Sequence, residues 1–274
     1  MTRKVFNEYL STYVDVPDRV SRIVSLCPSI TEVLALLGLD DEIVGVSAWC
    51  KYLVPKFSNK LVICSYSNIT DACLRRIKQV NPDVIFTTTG AQEKLVKTLL
   101  AHGFNVFPIP LPRNLFDIFK LIETVGMVVS KGQEVQELNN KLLDELLNFR
   151  NYLSKLKTLV ILEFHNEYRT TGYFTHISSA LRFIGLKNIF DNYLGTFMDI
   201  DVNYVNNVKP EVIIYDREPF SKIDRSEIIT KLKNLGINLD ILSNAKLIID
   251  IDLLKRYGPS FITHSLPQII SQLK

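Results

Sequence analysis

RIVSLCPSITEVLALLGLDDEIVGVSAWC, residues 22–50, holds the pattern on which the fold turns. Ile23, Val24 and Leu26 form a short apolar run that stops at Cys27-Pro28-Ser29. From Thr31 to Gly38 the apolar residues recur at helical spacing, and Gly38 closes the stretch. A second apolar run, residues 42–47, follows at once. Strand, turn, helix and strand in that order make a βαβ unit, whose two strands lie parallel in one sheet.

The same alternation continues outward. KLVIC (60–64), DVIFTTT (83–89) and NVFPIP (105–110) read as strands, with helices at 72–80 and 92–103 between them. A helix is expected from Asn114 to Met127, and a longer one from about Gly132 to Lys157. At 1.5 Å per residue that second helix would span roughly 40 Å, the length of a strut. Beyond it come TLVILEF (158–164), HISSALRFIG (176–185), EVIIYD (211–216), RSEIITKLKNLG (225–236), KLIIDI (246–251) and a terminal helix after Gly258-Pro259. The two halves echo each other: Asn81-Pro82-Asp83 matches Lys209-Pro210-Glu211, and EVLALLGL (32–39) matches SALRFIGL (179–186). The expectation is an α/β protein of two similar β/α lobes joined by one long backbone helix, with lobes at 1–128 and 158–274 and the linker at 129–157.

Composition narrows the function classes. The chain has 274 residues, 47% of them hydrophobic and 22% charged, which excludes disordered and low-complexity classes. Lys and Arg total 32 against 29 Asp and Glu, a net +3 that is weak for a nucleic-acid binder. Four cysteines, Cys27, Cys50, Cys64 and Cys73, show no CxxC spacing, so neither a zinc ribbon nor a disulfide framework is written here. Residues 1–20 lack the apolar core of a secretory leader, and no stretch reaches a membrane span. A cytoplasmic location is expected if Met1 is the native start, and an extracytoplasmic one if a leader was trimmed.

Ligands of open α/β sheets gather beyond the carboxyl ends of the strands. In the first half those loops are 27–29, 48–52, 65–67 and 87–92, and in the second half they are 165–175 and 216–218. Residues 22–50, NPDVIFTTTG (81–90), GYFTHISSALRFIGLKNIF (172–190) and DLLKRYGPSFI (252–262) together resemble the class III, cobalamin and ferric-siderophore type of substrate-binding protein that serves ABC importers. The resemblance runs over nearly all the chain from Arg22. It implies two rigid lobes on a backbone helix, closing with little hinge motion on a bulky corrinoid, iron chelate or haem. The matching ligand positions are Pro28, Ser29, Trp49, Tyr52, Tyr66, Thr88 and Gly90, with His176 and Arg217 in the second half.

Two departures from the family stand out. Its importer members usually carry a glutamate before each Pro-Asp-type strand to meet basic pockets of the permease, and here those positions fall on Arg75 and Asn203, with Asp71 one turn before Arg75. An arginine facing an arginine would repel. The leader is the second departure, and together they point to a cytoplasmic binder or a diverged relative.

Trp49, Tyr52 and Tyr66 offer flat apolar faces with polar edges, suited to a macrocycle, while aromatics in such loops also serve simply to cap a core. His176 is a candidate metal ligand or a helix-start histidine bonded to backbone. His165 is a weaker version of the same case, and His102 and His264 read as surface residues. Cys27, Cys50 and Cys64 each fall near the end of an expected strand and would bind metal if they converged, although free cysteines are usually small buried hydrophobes. The amides of the Thr-rich loop 87–90 are candidates to hold a carboxylate or phosphate. Glu163, Glu167 and Asp216 are candidate cleft carboxylates, each more readily explained as structural. No Walker, GxGxxG or GxSxG motif occurs.

The expected function is therefore non-enzymatic binding of a small-molecule metal chelate in the cleft between two lobes, cobalamin first and ferric siderophore or haem second. No covalent cofactor, nucleic acid or membrane insertion is expected, and the chain is expected to be a monomer, with an ABC permease as a partner in doubt because of Arg75 and Asn203. The alternatives are a cytoplasmic chelatase-like or cofactor-handling enzyme on the same fold, and a ligand-sensing module that docks on a partner.

Overall fold

The structure, a computed structural model, describes residues 1–164, 167–218, 224–249 and 254–274. In chain order the first elements are β1 Thr2–Asn7, β2 Thr12–Pro17, β3 Ile23–Ser25, α1 Pro28–Leu36, β4 Ile43–Ser47, α2 Ala48–Leu53, β5 Val62–Cys64, α3 Asp71–Val80, β6 Val84–Thr88, α4 Glu93–Ala101, β7 Val106–Ile109, α5 Asp117–Val129 and α6 Gly132–Leu147. They are followed by β8 Lys157–Phe164, β9 Glu167–Thr171, α7 His176–Ile184, β10 Lys187–Asn188, β11 Phe197–Asp199, α8 Val202–Val208, β12 Val212–Asp216, α9 Arg225–Asn234, α10 Leu239–Asn244, β13 Lys246–Ile248 and α11 Leu266–Leu273. The chain divides into unit 1, Met1–Leu111 with Ile118–Lys141, and unit 2, Pro112–Asp117 with Leu142–Lys274.

Unit 1 is built on a parallel sheet in the order β5-β4-β3-β6-β7. Strands buried on both faces need continuous apolar side chains, and Val24, Ile85 and Phe86 are wholly buried. Val24, Leu26, Ile63, Ile77, Ile85, Leu95 and Leu99 pack as one core, each side chain contributing about 1.5–3 kcal/mol of burial. The order of the strands reverses at β3, so the gap between the carboxyl ends of β3 and β6 is the switch point of the sheet.

Unit 2 departs from the expected all-parallel sheet. Its described strands run β11-β9-β8-β12-β13, with β10 paired to the start of β8. β12 is parallel to β8 and to β13, whereas β9 runs antiparallel to β8 and to β11. Part of what reads as a long loop, 165–175, is thus a strand returning directly from β8, with Arg169 paired to both Glu167 and Asp199. Asn188, buried at the start of the sheet, donates to the Thr171 carbonyl at 2.7 Å and to Ser178 Oγ at 2.8 Å, tying β10 to β9 and α7.

The repeated Pro-acid motif has a mechanical role. Asp83 Oδ2 accepts from the amides of Ser21 and Arg22 at 2.7 and 2.9 Å, pinning the chain where it enters β3. Glu211 Oε2 accepts from the Lys157 amide at 2.9 Å, pinning the start of β8 in the same way. Before each motif a helix ends on a left-handed residue, Asn81 at φ 41° and Lys209 at φ 52°, and proline then prevents continuation. Gly38 and Gly185 close α1 and α7 at φ 73° and 100°, as their places after the helical stretches imply.

Three differences concern lengths and the N-terminus. The helix expected to reach Lys157 ends at Leu147, and Asn151 takes φ 50° beyond it. The helix expected from Asn114 begins at Asp117, because Asn114 Oδ1 caps it by accepting from the Phe116 and Asp117 amides. Residues 2–17 form a β-hairpin beside β7, the edge strand of unit 1. Buried Asn7 donates to the Pro108 carbonyl at 2.9 Å, and Asn105 donates to the Asp15 carbonyl at 2.8 Å. Covering an edge strand that carries a proline removes an aggregation-prone edge.

Candidate functional site

The carboxyl ends of β5, β4, β3 and β6 lie side by side in unit 1, so the loops after them line one end of the sheet. Helix α1 starts directly at Pro28, three residues earlier than its apolar period indicates, because proline suits the first helical position. Ser29 is buried at 2% exposure, and Pro28 is buried with it. Beneath them Ser25 Oγ and Thr31 Oγ1 lie 2.8 Å apart, and Thr31 Oγ1 donates to the Cys27 carbonyl at 3.0 Å.

Trp49 and Tyr52 stand on a helix rather than a loop. Ser47 caps α2 by accepting from the Cys50 amide, which turns the chain into a helix directly off β4. Trp49 is half-buried and Tyr52 is 47% exposed. Tyr66 is half-buried in the turn after β5, where Ser65 Oγ accepts from the Asn68 amide at 3.2 Å. These three aromatics and exposed Gly90, at φ 74°, share this end of unit 1 with exposed Lys51, Ser65 and Ser67.

Thr88 does not belong to that accessible surface. It is 1% exposed, its hydroxyl donates to the Ile109 carbonyl at 3.1 Å, and its amide donates to Gln92 Oε1 at 2.7 Å. The Thr89 amide donates to the Ile109 carbonyl at 3.2 Å. Two amides of the Thr-rich loop are therefore engaged within the unit rather than offered to an anion. Gln92, which no spacing in the sequence marks out, joins three segments: its Nε2 donates to the Leu26 carbonyl at 2.9 Å and to the Tyr66 carbonyl at 2.5 Å.

The cysteines are buried thiols. Ser47 Oγ donates to Cys50 Sγ at 3.0 Å, and burial raises the Cys50 thiol to about 12. Cys64 rises to about 12 for the same reason, reinforced by neighbouring Cys73. Among the described residues no group of three or more His, Cys, Asp or Glu side chains is placed to hold a metal ion. The idea of a thiolate site at Cys27, Cys50 and Cys64 is corrected accordingly: all three are buried, and the described residues do not gather them into a metal-holding group.

In unit 2, His176 opens α7 and is 2% exposed. Its Nε2 lies 3.2 Å from the Leu254 carbonyl, and its ring meets Phe261 edge-on at 4.8 Å. Burial lowers its pKa to about 4. This is a helix-start histidine, buried in unit 2 beside a backbone carbonyl. Arg217 is half-buried just past β12, and its carbonyl lies 3.4 Å from Lys255 Nζ.

The carboxylates at this end are paired. Glu163 accepts from Lys231 Nζ at 2.6 Å and from the Tyr215 hydroxyl at 3.0 Å, while Asp216 lies 3.4 Å from Lys255 Nζ. Lys255 also donates to the Glu163 carbonyl at 2.7 Å and sits 4.8 Å over the Phe164 ring. Both acids thus hold charged partners at the ends of β8 and β12. His165 lies outside the described residues, whereas His102 and His264 are exposed as expected. Arg75 on α3 and Asn203 on α8 are exposed too. No described helix is long and apolar enough to cross a membrane.

Comparison with known proteins adds to this geometry. The sequence model of the periplasmic binding protein family matches residues 23–234. The vitamin B12-binding protein of Vibrio parahaemolyticus is 25% identical over 231 residues, covering 78% of this chain and 77% of that protein. Among solved structures, the petrobactin-binding protein YclQ of Bacillus subtilis superposes with a TM-score of 0.78 at 15% identity, covering 100% of this chain and 99% of that one. The periplasmic heme-binding protein HutB of Vibrio cholerae gives 0.74 at 16% identity over 92% and 98%. At such identities the structural likenesses show the fold.

Proposed function

This chain belongs to the periplasmic binding protein family, and from that membership we propose that it binds a metal-containing tetrapyrrole or iron chelate without transforming it. Cobalamin is the first candidate and a ferric siderophore or haem the second. The observation that carries the reading is the aromatic edge of unit 1: half-buried Trp49 and exposed Tyr52 follow β4, and half-buried Tyr66 follows the adjacent strand β5.

Flat rings with polar edges suit such ligands physically. A macrocycle loses hydration from its apolar faces when it stacks, while its peripheral amides or carboxylates keep polar partners at the ring edges. Pro28, Ser29 and Thr88 shape the floor beneath the rings rather than touch the ligand, Gly90 allows close approach, and Arg217 in unit 2 is the residue proposed for an anionic group. Arg75 and Asn203 are proposed as the partner-facing positions. An ABC permease there would have to offer acidic groups to Arg75.

A thermal-shift screen against cyanocobalamin, haemin and ferric chelates tests the reading. A ligand at 100 times its Kd stabilises the folded protein by about 2.7 kcal/mol, a rise of several degrees in Tm. A shift with one of these compounds supports the proposal. If none shifts the Tm while the protein turns over a tetrapyrrole, an enzyme on this fold replaces it.

A further inference from the structure

Cys64 ends β5, and Cys73 stands in the first turn of α3. Both side chains are buried, at 3% and 4% exposure, in one apolar cluster with Ile63, Ile77 and Ile85. Polar bonds hold this strand end against this helix start. Arg76 Nη1 donates to the Ile63 carbonyl at 3.1 Å, tying α3 to the residue just before Cys64. Thr70 caps α3 by accepting from the Cys73 amide at 3.4 Å, and its hydroxyl oxygen lies 3.2 Å from Cys73 Sγ, which keeps that thiol at the capping turn. Burial pushes the Cys64 thiol up to about 12, and neighbouring Cys73 adds to the rise through its charge and a side-chain hydrogen bond, so the two thiols lie within reach of one another. Cys50 is engaged elsewhere: Ser47 Oγ donates to its sulfur at 3.0 Å, and the sulfur donates to the Ser25 carbonyl at 3.5 Å.

We propose that Cys64 and Cys73 are a disulfide-forming pair, which an oxidising setting joins into a covalent clasp between β5 and α3. The co-reactant is a small disulfide of the glutathione class. One protein thiol gives up its proton and attacks a sulfur of the reagent, whose S–S bond breaks and releases one half as a thiol. The second protein thiol then attacks the mixed disulfide and releases the other half. The sum is one S–S bond formed in the protein and one broken in the reagent, with two hydrogens and two electrons passed to the reagent. Thiolate is scarce inside the apolar cluster, so the exchange waits on opening of the first turn of α3 and is slow. The clasp closes residues 65–72, which include Tyr66, so the aromatic edge of unit 1 has a cross-linked and an open form. The proposal holds whatever that edge binds.

The test uses the whole, reduced chain. It is incubated with oxidised glutathione in urea below its unfolding transition, and in a second arm it is refolded from full denaturant in a glutathione buffer. Free thiols are then counted, the intact mass is measured, and the linkage is mapped on peptides made without reduction. The expected product has lost two of its four free thiols, is lighter by two hydrogen atoms, and carries a Cys64–Cys73 link with Cys27 and Cys50 unmodified. Its Tm should lie about 5 °C above that of the same protein after reduction, because closing the ten-residue segment 64–73 restricts the unfolded chain. The proposal is overturned if both arms leave four free thiols, if the product is a stable mixed disulfide with glutathione, or if the link joins another pair such as Cys27 and Cys50. A Cys64–Cys73 product that melts below the reduced protein also overturns it, since the pair would then be forced together rather than already placed by the fold.

Discussion

His176 illustrates how one side chain can report on the whole fold. Its imidazole is neutral and buried, with a pKa near 4 where an exposed histidine has 6.5. Because the folded state resists protonation, its contribution is complete above pH 6.5 and is lost as pH falls from there toward 4, on the order of 3 kcal/mol in all. Urea unfolding at pH 7 and pH 4.5 should show that loss in wild type and a smaller one in His176→Gln, and equal losses would contradict it. At the proposed ligand surface, Trp49→Ala and Tyr66→Ala should each weaken binding about tenfold to a hundredfold, or roughly 1.4–2.7 kcal/mol, by truncating a stacking face. Removing Thr88's hydroxyl, by contrast, should act on stability, because that buried hydroxyl donates to the Ile109 carbonyl. Titration of Kd and Tm on Thr88→Val separates the two effects. The thiols give a further check: a soluble thiol reagent should find all four cysteines slow to react in the folded protein and fast in denaturant.

At the scale of elements, the two helix-closing glycines are chemically alike and physically different. A Cβ at Gly185 would lie within contact-forbidden range of the Leu153 carbonyl oxygen, whereas at Gly38 nothing stands within 4 Å. Gly38→Ala should cost about 1 kcal/mol for its left-handed backbone, and Gly185→Ala clearly more, as read by chemical denaturation. Asp83→Ala should cost about 1–2 kcal/mol by freeing two backbone amides at the entry to β3, with a smaller effect from Glu211→Ala, which frees one. These elements also show what the sequence makes legible. Strands such as Val84–Thr88 are buried on both faces and read as unbroken apolar runs, and the Pro-acid echo between halves marks equivalent joints. The hairpin at 2–17 alternates Val14 and Val16 with exposed polar residues, a short period easily lost among charges. Strand β9 hides for a related reason: its residues Glu167-Tyr168-Arg169 are polar, and only pairing with β8 and β11 makes them a strand.

For the whole molecule, the alternation of the core strands and helices is local information, legible in the period of apolar residues, whereas the hairpin at 2–17, α2 and β9 are not. Position was more legible in the candidate site than burial. Family likeness puts Trp49, Tyr52, Tyr66 and Gly90 together with Pro28, Ser29, Thr88 and His176, whereas the first four are exposed or half-buried and the last four are buried, because burial is set by neighbours distant in sequence. Gln92 was illegible for the same reason, since its three partners at residues 26, 66 and 88 converge only when the sheet forms. The proposed function requires that the aromatic edge of unit 1 receive a metal-containing macrocycle or chelate. Trp49 is the only tryptophan in the chain, so its emission is a single-site reporter. The measurement is a titration of Trp49 emission with cyanocobalamin, then haemin, in wild type and in Tyr66→Ala. Saturable quenching with one of them is expected, with a midpoint at least tenfold higher in Tyr66→Ala. Linear, non-saturating quenching with both compounds, identical in the two proteins, would contradict it.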